Sequence, residues 1–413
     1  MSRFKFLGFV AVAFVLGFIF GVAGASQQGS RQEDEYRYFR LFSDVFKTVK
    51  ENYVEPVSTK ELIYGALSGM MRSLDPFSAF FTPEQYNEFR QETEGEFGGV
   101  GIEIGMEKGR PIVISPIEGT PAFRAGIRSG DIILEINGED TSNMSLMDVV
   151  RKIRGKPGTK VTLTILRKGV DKPIKVELER AIIKIESVKW TKLEDIGYIK
   201  LTQFSEGVGR EVERALKSLS SQGVRGIILD LRNDPGGLLT EAINVADLFL
   251  KEGKLIVYTK SRNGEVQKYF AKGDAVIGDH VPVVVLINRG SASASEIVAG
   301  ALQDNKKAVL VGEKTFGKAS VQNIMPLEDG SAIKLTVAYY YTPLGRMINK
   351  KGIQPDVEVP MDEKTEEKLQ EALRERRLRG DKNVLVLPEL DPQLRKAIEL
   401  IRQGGKNYAH SGG

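Results

Sequence analysis

The sequence predicts a multidomain α/β protein, because three stretches of different pattern follow one another along its 413 residues. A charged, helix-like stretch runs from Arg31 to about Phe89, and short β-rich runs separated by glycines extend from Gly95 to about Arg180. Helix and strand signals alternate after that. The length and a hydrophobic content of 41% suit two or three domains with buried cores.

The composition excludes several classes of protein. Lys and Arg number 59 against 55 Asp and Glu, and a net charge of +4 is too small to indicate nucleic-acid binding. The absence of cysteine excludes thiol nucleophiles, disulfides and cysteine-based zinc sites. Two separate histidines, His280 and His410, do not form a ligand cluster, so we expect no metal and no other cofactor.

The first residues predict export from the cytoplasm. Arg3 and Lys5 precede an apolar run from Phe6 to Ala25 that ends in small residues, as signal peptides do. The run is also long enough to span a bilayer, so removal after Ala25 and retention as a membrane anchor both remain open. Either way, the positive residues on the leading side predict that the bulk of the chain lies outside the cytoplasm.

The first two stretches predict a helical domain and a compact, mostly-β module. Phe42, Val45, Phe46 and Val49 recur at helical spacing, and Asp75-Pro76 breaks the pattern. The module should contain one helix at Ser145–Ile153 and strands at Pro111–Ile117, Asp131–Ile136 and Lys160–Arg167.

The third stretch predicts an α/β layer of crossover units. Helices are expected at Ser205–Leu219, from Leu238 onward and at Ala294–Leu302, and strands at Gly226–Leu231, Lys254–Thr259, Val281–Asn288 and Ala308–Val311. Beyond Pro360, charged helical runs at Glu363–Arg379 and Asp391–Gln403 could pack on the core or pair subunits.

Three serines are candidate nucleophiles. Ser291, Ser293 and Ser295 lie where a buried strand turns into a helix, and free N–H groups at a helix start favour negative charge. Ser293 and Glu296 also match a capping box, which is a purely structural alternative. Spacing alone does not choose among the three serines.

The base that would activate such a serine is expected to be a lysine. His410 is close to the end of the chain and His280 is interpreted as a surface histidine, so neither is a good candidate for the base of a Ser-His-Asp triad. Lys318 and Gln322 are four residues apart and could face one site from either a helix or a strand. The alternative is that Lys318 is an ordinary surface lysine.

A glycine turn could supply hydrogen-bond donors. The segment Asp230–Gly237 follows a buried strand and precedes a helix, so its backbone N–H groups could face a substrate carbonyl. A simple strand-to-helix turn is the alternative.

Several separated motifs, in the same order, resemble the carboxyl-terminal processing peptidases, also called tail-specific proteases. The resemblance covers most of the chain after the apolar run. It rests on Gly290–Asp304, Gly312–Gln322 and Asp230–Gly237, with support from Leu74-Asp75-Pro76, Phe80-Phe81-Thr82, Phe97–Ile104 and Tyr340-Tyr341-Thr342-Pro343.

The resemblance implies a crotonase-like αβ protease core with an inserted PDZ domain and a Ser-Lys-Gln triad. The family's nucleophile falls on Ser293, its general base on Lys318, and the residue that positions the lysine on Gln322. Burial beside apolar groups would keep the lysine neutral, and a neutral amide would not favour its ammonium form. The implied oxyanion hole is formed by the N–H of Ala294 and that of Gly236 or Gly237.

The resemblance also gives the β module a function. Phe97-Gly98-Gly99-Val100-Gly101-Ile102 resembles the PDZ loop that holds a peptide's terminal carboxylate, while strand addition supplies affinity. A glycine-rich hairpin is the alternative. The expected peptide-binding residues are Gly98, Gly99, Val100, Gly101 and Ile102.

These inferences divide the chain into five parts. We expect a signal peptide or N-terminal membrane anchor at 1–28, a helical N-terminal domain at 29–94, a PDZ domain at 95–182, an αβ serine protease core at 183–360 and a charged helical C-terminal region at 361–413.

The expected function is a serine endopeptidase of the cell envelope that cleaves exported proteins near their carboxyl termini. Its expected partners are unfolded or flexible protein tails, the membrane if the first segment is uncleaved, and a second copy of the chain. Two other functions remain as alternatives: a non-catalytic envelope PDZ binding protein, and a crotonase-like acyl-transfer enzyme.

Overall fold

A computed structural model describes residues 34–107, 109–117, 119–184, 186–273, 275–278, 280–379, 381 and 384–404. The predicted export segment and His410 lie outside these residues. Within them, no helix is both long enough and apolar enough to cross a membrane. The chain divides after Phe80 into two compact units.

The first unit is helical, as the spacing of Phe42 and Val45 predicts. Its elements are α1 (residues 34–52) and α2 (Thr59–Arg72). The ring of Tyr64 on α2 lies 5.0 Å from that of Phe80, which packs the end of the unit against this helix.

The β module lies at the beginning of the second unit. The elements up to its end are β1 (Ala79–Phe81), α3 (Pro83–Thr93), β2 (Glu96–Gly99), β3 (Ile102–Glu107), β4 (Arg110–Pro116), α4 (Pro121–Arg124), β5 (Ile132–Ile136), β6 (Glu139–Asp140), α5 (Leu146–Ile153), β7 (Lys160–Leu166), β8 (Ile174–Glu179) and β9 (Ala181–Lys184).

The module is an antiparallel sheet with one packed face. Its strands run in the order β3-β4-β5-β7-β8, and β2 pairs separately with β9. β7 alternates between buried and less buried residues, which is the pattern of a strand with one face on a core. α5 begins at a cap in which Asp148 N donates to Ser145 Oγ at 3.2 Å, and it buries Val149 and Ile153.

The rest of the second unit contains the α/β layer. Its elements are β10 (Val188–Leu193), β11 (Ile196–Leu201), α6 (Val208–Ser221), β12 (Gly226–Asp230), α7 (Leu239–Asp247), β13 (Leu255–Ser261), β14 (Val266–Phe270), β15 (Val283–Ile287), α8 (Ala294–Asp304), β16 (Ala308–Gly312), β17 (Ser320–Pro326), β18 (Ala332–Tyr341), β19 (Val357–Glu358), α9 (Glu363–Leu378) and α10 (Pro392–Arg402).

The central sheet confirms the prediction of crossover units. Its order is β10-β11-β12-β15-β16-β19, and every pair from β11 to β19 is parallel. Ile227 and Leu229 face a core shared with α6, α7 and α8, while Ile228 between them faces a second core with α10. Because helices cover both faces, β12, β15 and β16 are buried throughout, and their sequences are nearly continuous apolar runs.

One predicted strand belongs elsewhere. The segment Lys254–Thr259 was expected to lie in the α/β layer, but β13 pairs with β14 and β18, and β18 pairs with β17, in a separate antiparallel sheet. β13 has intermediate and exposed positions among its buried ones, unlike the fully buried central strands. The local pattern shows a strand but does not show which sheet it joins.

A buried ionic network joins the end of β12 to α10. The carboxylate of Asp230 accepts hydrogen bonds from Tyr198 Oη at 2.6 Å and from the guanidinium of Arg232 at 2.7 and 3.0 Å. Arg232 also donates to Asp391 Oδ1 at 3.1 Å and to Gln393 Oε1 at 3.0 Å. Burial would raise the pKa of Asp230, but the charges of Arg232 and Lys200 and the hydrogen bonds from Arg232 and Tyr198 together outweigh it and hold that pKa well below its usual range.

We predict that this network contributes strongly to stability. Arg232→Met should lower the free energy of unfolding by about 3–5 kcal/mol, because it removes the guanidinium that pairs with both buried carboxylates and leaves Asp230 with Lys200 alone. The control is Arg225→Met, which removes a surface pair with Asp195 and should leave the stability nearly unchanged, because solvent screens such pairs. Urea unfolding followed by circular dichroism measures both, and equal small losses would contradict the prediction.

Candidate active site

The three serines of the turn between β15 and α8 have different environments. Ser291 Oγ donates to Leu231 O at 2.8 Å and Ser295 Oγ donates to Asp234 O at 3.0 Å, and both serines are fully buried. Ser293 is half-buried and lines a cavity of about 390 Å³. The outer serines therefore hold the turn, and the middle one faces the cavity.

The backbone of Ser293 is in an unusual conformation. Its φ of 55° and ψ of −112° lie in a region that residues with a side chain rarely adopt. Such a residue costs on the order of 1–3 kcal/mol and persists only where its surroundings hold it, which is common at functional sites. The preceding Ala292 N–H donates to Asp234 O at 3.0 Å, so the turn is fixed from a neighbouring segment.

The predicted lysine reaches the same cavity from a different part of the chain. Lys318 lies in the connection between β16 and β17, and Gln322 lies on β17. Both line the cavity together with Ser293. The structure thus brings together residues separated by up to 29 positions, and Ala294, Gly236 and Gly237 line the cavity as well.

A fully buried carboxylate connects the serine turn to the lysine loop. Glu296 Oε2 accepts from Ser293 N at 2.9 Å and from Lys318 N at 2.8 Å, while Oε1 accepts from Gly317 N at 2.8 Å and from the Thr315 hydroxyl. Burial raises the pKa of Glu296, and these hydrogen bonds oppose the rise. One half of the predicted capping box is therefore present, but its carboxylate also fixes the distant lysine segment.

Tyr340 on β18 makes a second connection. Its hydroxyl lies 3.0 Å from Ser293 O and also within hydrogen-bonding distance of Lys318 O. Burial raises the pKa of Tyr340 well above its ordinary value, and the nearby Glu296 carboxylate adds to the rise. The hydroxyl therefore stays protonated and acts as a donor to backbone carbonyls.

Gln322 is held by its amide nitrogen. Nε2 donates to Ser320 Oγ at 2.8 Å, to Ser320 O at 3.2 Å and to Thr336 Oγ1 at 3.3 Å. β17 is irregular between Val321 and Gln322, where its pairing with β18 shifts register. With the nitrogen occupied, the carbonyl oxygen is the part of this amide suited to accept a hydrogen bond from an amine.

The glycine turn lies directly against the serine turn. Gly236 has a φ of 94°, and a Cβ there would lie 2.7 Å from Ala294 N, so only glycine fits. Gly236 N donates to Asp234 Oδ1 at 2.8 Å, and Gly236 O accepts from Phe204 N at 2.9 Å. Both hydrogen-bonding groups of the Gly236 backbone are therefore in use.

Two backbone donors beside Ser293 remain available. Among the residues that the structure describes, the N–H groups of Gly237 and Ala294 have no acceptor in the protein. Both residues line the cavity. The arrangement can therefore offer two N–H groups to an oxygen that develops negative charge next to Ser293.

Helix α3 lies between the cavity and the β module. Phe89 and Thr93 of α3 line the cavity, and Gln203 Nε2 donates to Glu92 O at 2.9 Å. The Glu92 side chain also lies 3.6 Å from the guanidinium of Arg154, at the end of α5 in the module. One helix therefore contacts both regions.

The predicted peptide-binding loop lies at the connection between β2 and β3. Gly98 and Gly99 belong to β2, which pairs with β9, and Ile102 opens β3. Gly101 has a φ of 78°, and its carbonyl accepts from Thr120 Oγ1 at 3.1 Å. The five predicted residues Gly98, Gly99, Val100, Gly101 and Ile102 are thus adjacent, with the last three at the bend.

The histidine that the structure describes lies away from the cavity. His280 is exposed in a turn before β15 and is not among the residues that line the cavity. In the part of the chain that the structure describes, no group of three or more His, Asp or Glu could hold a metal ion.

Sequence reasoning missed three residues that shape this site. Glu296 was interpreted only as a helix cap, and Asp234 and Tyr340 had no separate role. The Ser293-x-x-Glu296 spacing was a signal for Glu296, but its other donors come from residues 315–318. Nothing in the local sequence around Tyr340 indicates that its hydroxyl reaches Ser293 O.

Comparisons with known proteins show which protein families the chain matches. The sequence profile of peptidase family S41 matches residues 195–359, that of the PDZ domain residues 89–166, and that of the activating protease CtpB N-terminal domain residues 20–85.

Two relatives are similar over most of their length. The chain is 43% identical to a carboxy-terminal-processing protease of Bartonella bacilliformis, over 87% of this chain and 84% of that protein. It is 38% identical to the carboxy-terminal processing protease CtpA of Bacillus subtilis, over 85% and 75% respectively. A crystal structure from Bacteroides fragilis, assigned to the S41 proteases, shares the fold with a TM-score of 0.52 at 18% identity, covering 85% of this chain and 91% of that one.

We predict that Glu296→Gln loosens both segments that the carboxylate joins. An amide keeps the size of the side chain but replaces one acceptor oxygen with a donor, so two of the four donors lose their partner, at a cost of about 2 kcal/mol or more. Hydrogen-exchange mass spectrometry should show faster exchange at 293–297 and at 315–319. Glu313→Gln, in the same loop but outside this set of bonds, is the control, and identical exchange in both variants would contradict the prediction.

Proposed function

Because the chain belongs to peptidase family S41 and is a serine protease with a PDZ domain, we propose that it cleaves exported proteins near their carboxyl termini with Ser293, Lys318 and Gln322. The observation that carries this proposal is the single cavity that these three side chains line together with Ala294 and Gly237. Family membership sets aside the two alternatives, a binding protein and an acyl-transfer enzyme.

The proposed first step forms an acyl-enzyme. Ser293 Oγ attacks the carbonyl carbon of the scissile peptide bond while Lys318 Nζ takes the hydroxyl proton. The tetrahedral intermediate collapses as its C–N bond breaks, and Lys318 returns the proton to the leaving amine. Water then attacks the ester with Lys318 again as base, which releases the new carboxyl terminus and restores the serine.

The cavity supports an amine that reacts in its neutral form. Apolar side chains of Phe89, Leu239, Ile297 and Val321 line it, and such surroundings disfavour a charged ammonium group. Gln322 is neutral, so it can accept a hydrogen bond from Lys318 without stabilising the charged form as a carboxylate would. We assign Gln322 the positioning of the lysine.

The proposed oxyanion hole uses the N–H groups of Ala294 and Gly237. Gly236 was the other candidate, but its N–H donates to Asp234 Oδ1, which leaves Gly237 to complete the pair. One such donor can be worth about 3 kcal/mol in transition-state stabilisation.

We propose that the PDZ domain holds the tail of the substrate. In the described part of the chain β3 pairs with β4 alone and so is an edge strand, and α5 packs against it. An extended peptide can add to that edge, and Ile102 and Ile104 offer apolar contacts to its side chains. The N–H groups at the bend from Val100 to Ile102 would face the terminal carboxylate.

The contacts of α3 support a gating function for this domain. α3 contributes Phe89 to the cavity and pairs through Glu92 with Arg154 of the PDZ domain. A tail that shifts the PDZ domain would therefore also shift a wall of the cavity.

The proposal also includes the domain limits, the location and the further partners that the sequence predicts. The domain limits at residues 28, 94, 182 and 360 are retained as proposed. The apolar run from Phe6 to Ala25 supports a location on the outer side of the cytoplasmic membrane. A second copy of the chain and the membrane are the proposed further partners.

We predict that Ser293→Ala and Lys318→Ala each lower the rate of proteolysis by about 10⁴-fold or more, since each removes a group that takes part in bond making. Lys314→Ala, at an exposed lysine of the same loop, is the matched control and should keep the parent rate. The assay incubates residues 29–413 with an unfolded protein that ends in apolar residues and identifies products by mass spectrometry. Cleavage that survives both substitutions would exclude the mechanism.

We also predict that tail binding depends on a free carboxylate. In the Ser293→Ala variant, a fluorescent peptide with an apolar free carboxyl terminus should bind at least about tenfold more tightly than its carboxamide, because hydrogen bonds to a charged group are worth about 1.5–3 kcal/mol. Fluorescence anisotropy measures both affinities. Equal affinities would argue against the proposed PDZ contacts.

A further inference from the structure

Asp234 is a buried carboxyl group that the mechanism above does not use. It immediately precedes the Pro235-Gly236-Gly237 turn and is fully shielded from solvent. Its Oδ1 accepts the Gly236 N–H at 2.8 Å, whereas Oδ2 is buried without a hydrogen-bond partner among the described residues. A buried acidic oxygen without a partner is costly, most of all when it carries charge.

The backbone of the same residue joins the two turns of the site. Asp234 O accepts from Ala292 N and from Ser295 Oγ, both at 3.0 Å, and these residues flank Ser293 and Ala294. The two donors of the proposed oxyanion hole are therefore positioned relative to each other through Asp234.

We propose that Asp234 is a positioning residue for the oxyanion hole: its carboxyl group holds the Gly236 N–H so that the Gly237 N–H faces the cavity, and it does so in its neutral form. The inference rests on the proposed Ser293 mechanism and adds to it. Asp234 does not contact the substrate, and it acts through the glycine turn.

The neutral form is favoured by the surroundings. Burial raises the pKa of Asp234 to about 7, and the hydrogen bond that Gly236 N donates to its carboxyl group opposes the rise. The charged groups that act on it are Lys200 on β11, which lowers the pKa, and Asp230 on β12, which raises it. From α8, Ser295 presents only a neutral hydroxyl group.

The charge of Asp234 matters because the reaction creates negative charge nearby. An ionised carboxylate directly behind the turn repels the oxyanion, whereas a neutral carboxyl group still accepts the Gly236 N–H through its carbonyl oxygen. Activity that depends on the neutral form is complete at acidic pH and falls as the pH rises through about 7. The lysine has the opposite requirement, since its neutral form is favoured by higher pH.

The test compares Asp234→Asn with Asp234→Ala. Asparagine keeps a carbonyl oxygen for the Gly236 N–H but cannot ionise, whereas alanine removes the acceptor. kcat and KM are measured from pH 5.5 to 9 with a peptide substrate, and circular dichroism checks the fold of each variant.

We expect the ratio of kcat/KM of Asp234→Asn to that of the parent to rise about thirtyfold between pH 6 and pH 8.5, because only the parent loses the neutral form as the pH passes through about 7. Asp234→Ala should lower kcat about 100-fold with little change in KM, as expected when a transition-state donor is misdirected.

A ratio that does not change with pH would overturn the role of the neutral form, and a folded Asp234→Ala variant with the parent kcat would overturn the positioning role. If the alanine variant does not fold, the pH dependence of Asp234→Asn still tests whether the neutral form of Asp234 is required. Failure of the proposed mechanism itself would appear separately, as a Ser293→Ala variant that remains active.

Discussion

The candidate active site depends above all on one buried carboxylate, that of Glu296. It joins the start of α8 with Ser293 to the loop that carries Lys318, through three backbone N–H groups and one hydroxyl, and the Tyr340 hydroxyl adds a second link. Glu296 binds the backbone N–H groups of Ser293 and Lys318. The carboxylate therefore fixes the distance between the two chain segments without using the side chain of either residue. The strained conformation of Ser293 is held by this bond and by the packing of the glycine turn.

Much of the fold can be predicted from hydrophobic periodicity. The features that could not be predicted depend on contacts between distant segments of the chain. The central strands are predicted well because burial on both faces requires apolar runs such as Gly226–Asp230. β13 was assigned to the wrong sheet because strand pairing is a property of distant segments. The resemblance selected Ser293 and Lys318, and the geometry gives the reason for Ser293, since Ser291 and Ser295 are fully buried in holding the turn. The roles of Asp234 and Tyr340 could not be found, because the contacts that tie them to the serine turn join Asp234 to Ser295, 61 residues away, and Tyr340 to Ser293, 47 residues away.

Helix α3 contacts both the cavity and the PDZ domain. Its Phe89 lines the cavity and its Glu92 lies close to Arg154 of the PDZ domain, which is the contact on which the proposed gating rests. The Glu92–Arg154 pair is only partly buried, with 59% and 42% of the side chains exposed. Such a pair contributes little to stability, so breaking it would cost little if the proposed gating moves the PDZ domain.

The network around Arg232 also affects the order in which parts of this protease can fold. Arg232 follows the strand that leads into the glycine turn, and its partner Asp391 is 159 residues further along the chain. A chain still being synthesised has no Asp391 beside Arg232, so at that stage Arg232 has Asp230 but not its second carboxylate, and the buried network is incomplete. The segment that follows β12 therefore acquires its full set of buried ionic partners only when α10 packs, so this part of the core cannot be complete before synthesis has passed residue 391.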